Sequence, residues 1–289
     1  MRPDQVAQTI ADISGSDVAT LRPLSGGCVA DVMQAVLRDG RRLVVKQSGK
    51  ADLAIEGRML TYLSEYSPIP CPAVLHAEPE LLVMVFIEND GHMNGEVQRD
   101  LAVLLARQHQ VTQDQVTQDQ FGLAFDTLIG GLHQPNNRED DWIRFFRDHR
   151  LLYMAELAVR RQKLPVHMMP RIENLAAKLD DLLPSETTPS LLHGDMWGGN
   201  ILCRKGRIAG LVDPAIYYGD REIELAFGTL FGDLTSTFFD AYSEISPILP
   251  GFFQERRDLY NLYPVLVHVC LFGGSYVGSA DRILTRFGV

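Results

Sequence analysis

Cysteine is scarce in this chain: four in 289 residues, Cys28, Cys71, Cys203 and Cys270, none in a CxxC pair. That pattern argues against a zinc site or a disulfide framework and fits a reduced, cytoplasmic protein. Long apolar runs are missing too. The best candidate, Leu262 to Phe272, contains Pro264 and His268, far short of the roughly 18 apolar residues that span a bilayer, so no membrane association is expected. Met1 to Ala11 has no apolar core, so no signal peptide is expected. Positive charge is in deficit: 27 lysines and arginines face 37 aspartates and glutamates, a net charge of −10. That argues against nucleic-acid binding, which needs a basic face. It leaves room for a nucleotide cofactor, held by a few local cations and a metal. The Walker A, GxGxxG, HExxH and GxSxG motifs are all absent.

What is present is ordinary for a globular protein: 46% apolar and 22% charged residues, in a chain long enough for one large domain or two lobes. After a short N-terminal helix and lead-in (1–22), the pattern is β-like. A turn at Ser25-Gly26-Gly27 leads to Val29–Leu37, an Asp39-Gly40 turn, and Leu43–Lys46. Helical spacing of Leu53, Met59, Leu60, Leu63 and Tyr66 predicts a helix over 51–66, ended by Pro68-Ile69-Pro70-Cys71-Pro72. Leu81–Ile87 reads as a buried strand. The polar stretch 88–95 then marks a boundary between a lobe at 1–88 and a lobe at 89–289, with a hinge at about 84–95. Beyond it, helices are predicted at about 96–110, 139–162, 170–183, 221–231 and 252–270. A β-hairpin interrupts them between Leu191 and Val212. The pentapeptide Val111–Gln115 is copied as Val116–Gln120, a single polar duplication of a surface loop rather than a repeat architecture.

The richest segment is Leu191 to Leu202. An apolar pair enters, His193-Gly194-Asp195-Met196-Trp197-Gly198-Gly199-Asn200 forms a polar loop, and apolar residues leave. Asn200 follows Asp195 by five positions, and a second apolar run ends in Asp213-Pro214 thirteen residues later. Two carboxylates and an amide at strand ends suit magnesium–triphosphate chemistry, because Mg2+ takes hard oxygen ligands and few of them from protein. Asn200 and Asp213 fit as the metal ligands. Asp195 fits as the group that orients a hydroxyl and accepts its proton. Asp and Asn are also common turn residues, and singly each would be read that way. Upstream, Gly26, Gly27 and Cys28 could fold over phosphates through backbone N–H groups. Lys46 ends a strand where its cation could reach phosphates. Glu56, ten residues on, could pair with it. Backbone groups near Val85 and Ile87 would face adenine. The expected cofactors are ATP and Mg2+.

These motifs resemble the fructosamine kinase (ketosamine-3-kinase) family, within the aminoglycoside-phosphotransferase-like kinases. His193-Gly194-Asp195, Asn200 and Asp213 mark the wider group. Trp197 and the stretch Asp213 to Glu222 mark the narrower family, as do LSGGC at 24–28, Gln134-Pro135-Asn136, Asp141-Trp142 and Leu271-Phe272-Gly273-Gly274. The resemblance runs from about residue 21 to 276. It implies an α+β, bilobal, protein-kinase-like fold. It implies ATP-dependent phosphorylation of the C3 hydroxyl of a ketosamine, either a small molecule or a glycated lysine on a protein. It carries Asp195 over as the catalytic residue, Asn200 and Asp213 as metal ligands, Lys46 and Glu56 as the phosphate-positioning pair, and Gly26 and Gly27 as the nucleotide loop. The chain departs from the pattern at Val85, where the family usually has Glu, at Glu224, usually Asp, and at Cys270, often polar.

Four residues keep two readings. Trp197 stacks on a sugar or floors the site. Asp220 caps a helix or contacts substrate. His268 is a satisfied helix histidine or a substrate ligand. Cys28 is a small filler or an oxidation-sensitive thiol beside the phosphates. Two other functions compete: a kinase for another hydroxylated molecule, such as an aminoglycoside or amino alcohol, and a non-catalytic nucleotide-binding protein. A monomer and a homodimer fit the sequence equally.

Overall fold

The computed structural model describes residues 3–24, 30–111 and 120–289. Helix α1 (Pro3–Ser14) leads into a five-stranded antiparallel sheet. Its strands are β1 (Val18–Pro23), β2 (Asp31–Leu37), β3 (Arg42–Gln47), β4 (Val74–Glu78) and β5 (Leu81–Val85), in the order β1-β2-β3-β5-β4. Helix α2 (Leu53–Tyr66) crosses between β3 and β4. Alternation along β3 decides what each face meets. Leu43 and Val45 point to one face, where they join Ala35, Leu37, Leu81 and Val83 beneath Val6 and Ile10 of α1. Val44 points to the other, where it packs with Leu82 and Met84 against Leu53 and Leu60 of α2. Lys46 shares the Val44 face by the same period of two. The strand parity therefore aims its side chain at α2 and Glu56.

Two strands lie outside the sequence expectation. Both β1 and β4 are edge strands without a fully buried residue, so they carry no clean apolar alternation. The predicted strand 81–87 stops at Val85.

Residues 86–94 run without helix or strand into α3 (Gly95–His109), whose cap residue Asn94 accepts from the N–H groups of Glu96 and Val97. A small hairpin follows, β6 (Thr127–Ile129) and β7 (Leu132–Gln134), also unpredicted at three residues per strand. The expected helix 139–162 begins at Trp142, capped by Asp141. It runs as α4 (Trp142–Phe146), a π-helical stretch (Arg147–Leu152) and α5 (Tyr153–Arg160). The expected helix 170–183 breaks into α6 (Met169–Ala176) and α7 (Leu179–Leu182). Then come β8 (Ser190–Leu192), β9 (Ile201–Arg204), β10 (Arg207–Leu211), β11 (Tyr217–Gly219) and α8 (Arg221–Phe227), which ends earlier than the expected 231. Two helices lie outside the expectation, α9 (Ser236–Ile245) and α11 (Ser275–Arg286). Between them α10 (Arg257–Phe272) is buried along most of its length. One apolar core joins α3 to α11. No helix among the described residues is long and apolar enough to cross a membrane.

Candidate active site

Two small antiparallel ladders build the site. β8 pairs with β11 and β9 with β10. Asp195 leaves the end of β8, Asn200 enters β9, and Asp213 lies between β10 and β11. The chain thus returns twice to the same spot. The turn needs Gly194: its φ is +83°, and a Cβ there would lie 2.0 Å from the Ala215 carbonyl oxygen. Ala215 N–H in turn donates to the His193 carbonyl at 2.8 Å.

A buried relay holds this loop from below. Gly194 N–H donates to Glu224 Oε1 at 2.7 Å. The other Glu224 oxygen lies 2.8 Å from His109 Nε2, and His109 Nδ1 lies 2.8 Å from the Tyr242 hydroxyl. The three residues come from α8, α3 and α9, and the Glu224 and His109 side chains are fully buried. Sequence reasoning registered Glu224 only as a departure and missed His109. Asp233 adds a second anchor, accepting from Gly198 N–H at 2.8 Å.

Asn200 Nδ2 donates to both the carbonyl and Oδ2 of Asp195, at 2.8 and 2.9 Å. Burial pushes the Asp195 carboxyl up to about 7. The Asn200 amide opposes that rise, and the nearby charges of Asp213 and Glu224 add to it. A carboxyl poised there is matched to accepting a proton near neutrality.

Lys46 faces this loop from the small lobe. Its ammonium lies 2.6 Å from Glu56 Oε1 and also contacts Asp213 Oδ1. Burial works against the Lys46 charge, but Glu56 and Asp213 outweigh it and hold the ammonium above its ordinary value. Burial raises Glu56. Lys46 opposes this, while Asp213, which shares the same cation, adds to it. Asp213 sits at φ +54°, a left-handed conformation that Asp tolerates better than most residues.

The structure brings Lys46, Glu56, Asp195, Asn200 and Asp213 into one cluster. Gly26, Gly27 and Cys28 lie outside the described residues. Val85 ends β5, and its N–H is taken by the Ala73 carbonyl at 2.9 Å. That amide cannot also serve a ligand, which corrects half of the adenine-facing expectation; Ile87 lies just past the strand. For Asp220 the structure bears out the capping reading and overturns the substrate one. It caps α8 by accepting from Glu222 N–H at 2.9 Å, and it accepts from the Tyr260 hydroxyl at 2.6 Å. With both oxygens engaged in a buried position, it braces α8 against α10 and offers nothing to a substrate.

His268 donates from Nδ1 to the Pro264 carbonyl at 2.7 Å, a satisfied helix histidine on that side. Its ring nevertheless belongs to an aromatic row that sequence reasoning missed. Trp197 meets Phe231 at 5.9 Å, Phe231 meets His268 at 5.3 Å, and His268 meets Tyr276 at 4.8 Å and Phe272 at 5.8 Å. Trp197, Phe231 and Phe272 are 39%, 43% and 48% exposed. No spacing rule links residues 197, 231 and 268, so only the fold reveals the row.

The residues fit a divalent cation. Asn200 spends its amide N–H groups on Asp195, which leaves its oxygen as a neutral donor. Asp213 has one oxygen on Lys46 and a side chain 42% exposed. One amide oxygen and one open carboxylate, with phosphate and water to complete the shell, is the sparse all-oxygen set that Mg2+ accepts.

A small antiparallel lobe with a lysine–glutamate pair, facing a helical part with an Asp…Asn…Asp loop, defines a protein-kinase-like phosphotransferase. The fold supports this: a solved aminoglycoside phosphotransferase superposes with a TM-score of 0.66 over 98% of this chain, at 18% identity, a likeness of fold alone. The sequence model of the fructosamine kinase family matches residues 3–287, and the chain belongs to that family. A crystal structure assigned as a fructosamine-3-kinase of Thermobifida fusca covers 99% of this chain and 100% of its own, with a TM-score of 0.85 and 29% identity. The chloroplastic protein-ribulosamine 3-kinase of Oryza sativa subsp. japonica is 32% identical over 91% of this chain and 77% of its own length. A probable ketoamine kinase of Synechocystis is 42% identical over a shorter match, 58% of this chain and 55% of that protein.

Proposed function

We propose that this chain transfers the γ-phosphoryl group of ATP to the C3 hydroxyl of a ketosamine, a sugar adduct of an amine. The observation that carries the reading is the meeting of the Lys46–Glu56 pair with Asp195, Asn200 and Asp213 beside an exposed aromatic row. Lys46, held by Glu56, binds phosphate oxygens. Asn200 fixes the Asp195 carboxylate by its amide. Asp195 orients the acceptor hydroxyl and takes its proton as the oxygen bonds to the γ-phosphorus and the bond to the ADP oxygen breaks. Asn200 and Asp213 would hold Mg2+, which when bound neutralises phosphate charge. Trp197 and His268 belong to the aromatic row, whose ring faces suit the apolar face of a sugar and a positively charged amine. Gly26 and Gly27 belong to the nucleotide loop in this reading. Residues 1–88 and 89–289 form its two lobes, with the hinge at about 84–95.

The test is ADP release with Mg-ATP over ribulose-lysine, fructose-lysine, an aminoglycoside, choline and no acceptor. Asp195→Asn should lower ketosamine-dependent release by about 10³-fold or more while leaving ATP affinity within about threefold. Release with the aminoglycoside or choline alone would replace the ketosamine assignment. Full activity in Asp195→Asn would remove Asp195 from its role.

A further inference from the structure

Helix α2 carries Glu56, and its two faces belong to different lobes. Leu53 and Leu60 pack on the small-lobe sheet. Met59 and Leu63, with Ile55, Tyr62 and Tyr66, pack instead on Leu123, Phe125, Leu191, Ile216 and Tyr218. Leu191 lies in β8, four residues before Asp195. Ile216 and Tyr218 lie just beyond Asp213. The helix that presents Glu56 therefore shares a buried core with both strands that deliver the aspartates.

Three directional contacts reinforce that core. The Tyr62 and Tyr218 hydroxyls lie 3.1 Å apart. The Arg58 guanidinium sits 3.7 Å above the Phe125 ring, and the Tyr62 ring meets it edge-on at 6.4 Å. The segment that carries Phe125 is itself pinned. Gly122 and Tyr218 exchange two backbone hydrogen bonds of 2.9 Å, and Asn136 Nδ2 donates to the Phe125 carbonyl at 3.0 Å. On its small-lobe side α2 sits close to β4, because Gly57 has no Cβ; one there would lie 2.4 Å from that of Ala77.

We infer that Phe125, Tyr62 and Tyr218 are positioning residues, a clamp from the large lobe that fixes α2 and so holds Glu56 against Lys46 in the ATP-binding geometry. This rests on the reading of Lys46 and Glu56 as the phosphate-holding pair. Kinase helices at this position swing to break their Lys–Glu pair. Here the swing would have to tear an apolar core shared between the lobes.

The readout is Mg-ATP affinity by calorimetry, which needs no acceptor, in a double-mutant cycle with Glu56→Gln. Phe125→Ala should weaken ATP binding about tenfold in the native background and less than about twofold in Glu56→Gln, because the pair it serves is already lost. Phe125→Leu should recover most of the loss, and Tyr218→Phe should show the same non-additivity at about threefold. Equal losses in both backgrounds, or no loss in either, overturn the clamp. If Phe125→Ala does not fold, the Tyr218→Phe cycle decides by the same criterion. Unchanged ATP affinity in Lys46→Met would instead overturn the reading of the pair. Absent ketosamine turnover would overturn only the acceptor assignment, since the cycle does not depend on it.

Discussion

Glu56, largely enclosed, and Glu224, fully buried, are both carboxylates at the same site, and they sit there differently. Glu56 meets a full cation, Lys46, which it shares with Asp213 across the lobe boundary. Glu224 meets a backbone N–H and a histidine inside one lobe, with its side chain fully buried. In the proposed reading the first arrangement leaves a charge available to a ligand: the ammonium has something to offer a phosphate. The second spends everything on holding Gly194 in its turn. One is a working contact and the other a fastening, and the geometry of the partner, more than burial itself, separates them.

The largest break in this comparison is expected at the fastening. Glu224→Ala leaves the Gly194 N–H and His109 buried without their acceptor and should cost about 3–5 kcal/mol of unfolding free energy in urea titration. A loss under about 1 kcal/mol would mean that other contacts hold the turn. The working contact should split the other way. Lys46→Met should weaken Mg-ATP binding on the order of 100-fold, and its stability cost should stay below that of Glu224→Ala, because Glu56, raised by burial, can take up a proton and Asp213 is partly exposed. Comparable damage to stability would make Lys46 a fastening too.

Asp220 sharpens the contrast at smaller scale, because its direct partners are a backbone N–H and a tyrosine, with no cation. Burial, with the neighbouring Glu222 charge, pushes its carboxyl up to about 6, against the Tyr260 and backbone hydrogen bonds. A raised folded pKa means that the native chain keeps a proton the unfolded chain has released. Between about pH 4 and 6 this residue should therefore lower stability as pH rises, by up to about 1.4 kcal/mol per unit. Asp220→Asn should flatten that part of the pH–stability curve, and an unaltered slope would show that the carboxylate ionises freely in place.

Much of this was legible in sequence because the chemistry is local. Asp195 and Asn200 share one loop, and Asp213 follows one hairpin later. Lys46 and Glu56 are separated by a single strand end and the start of a helix, so parity along β3 suffices to aim one at the other. The family motifs span the chain and make the fold legible with them. The edge strands β1 and β4 were not legible, since neither holds a fully buried residue and the alternation is faint. The relay through His109, Glu224 and Tyr242 and the row from Trp197 to Tyr276 join residues far apart in sequence. Each member taken alone is an ordinary core or surface residue. The substrate reading of Asp220 and the Val85 amide failed for a related reason: a suitable position along the chain says nothing about whether a donor or acceptor is already engaged.

Only six residues separate Asp213 from the cap residue Asp220, and three of them form β11, paired to β8. In signalling kinases the corresponding interval is a long segment whose ordering by phosphorylation turns the enzyme on. Here there is no slack to order. Such a catalyst has no off position of its own along this stretch.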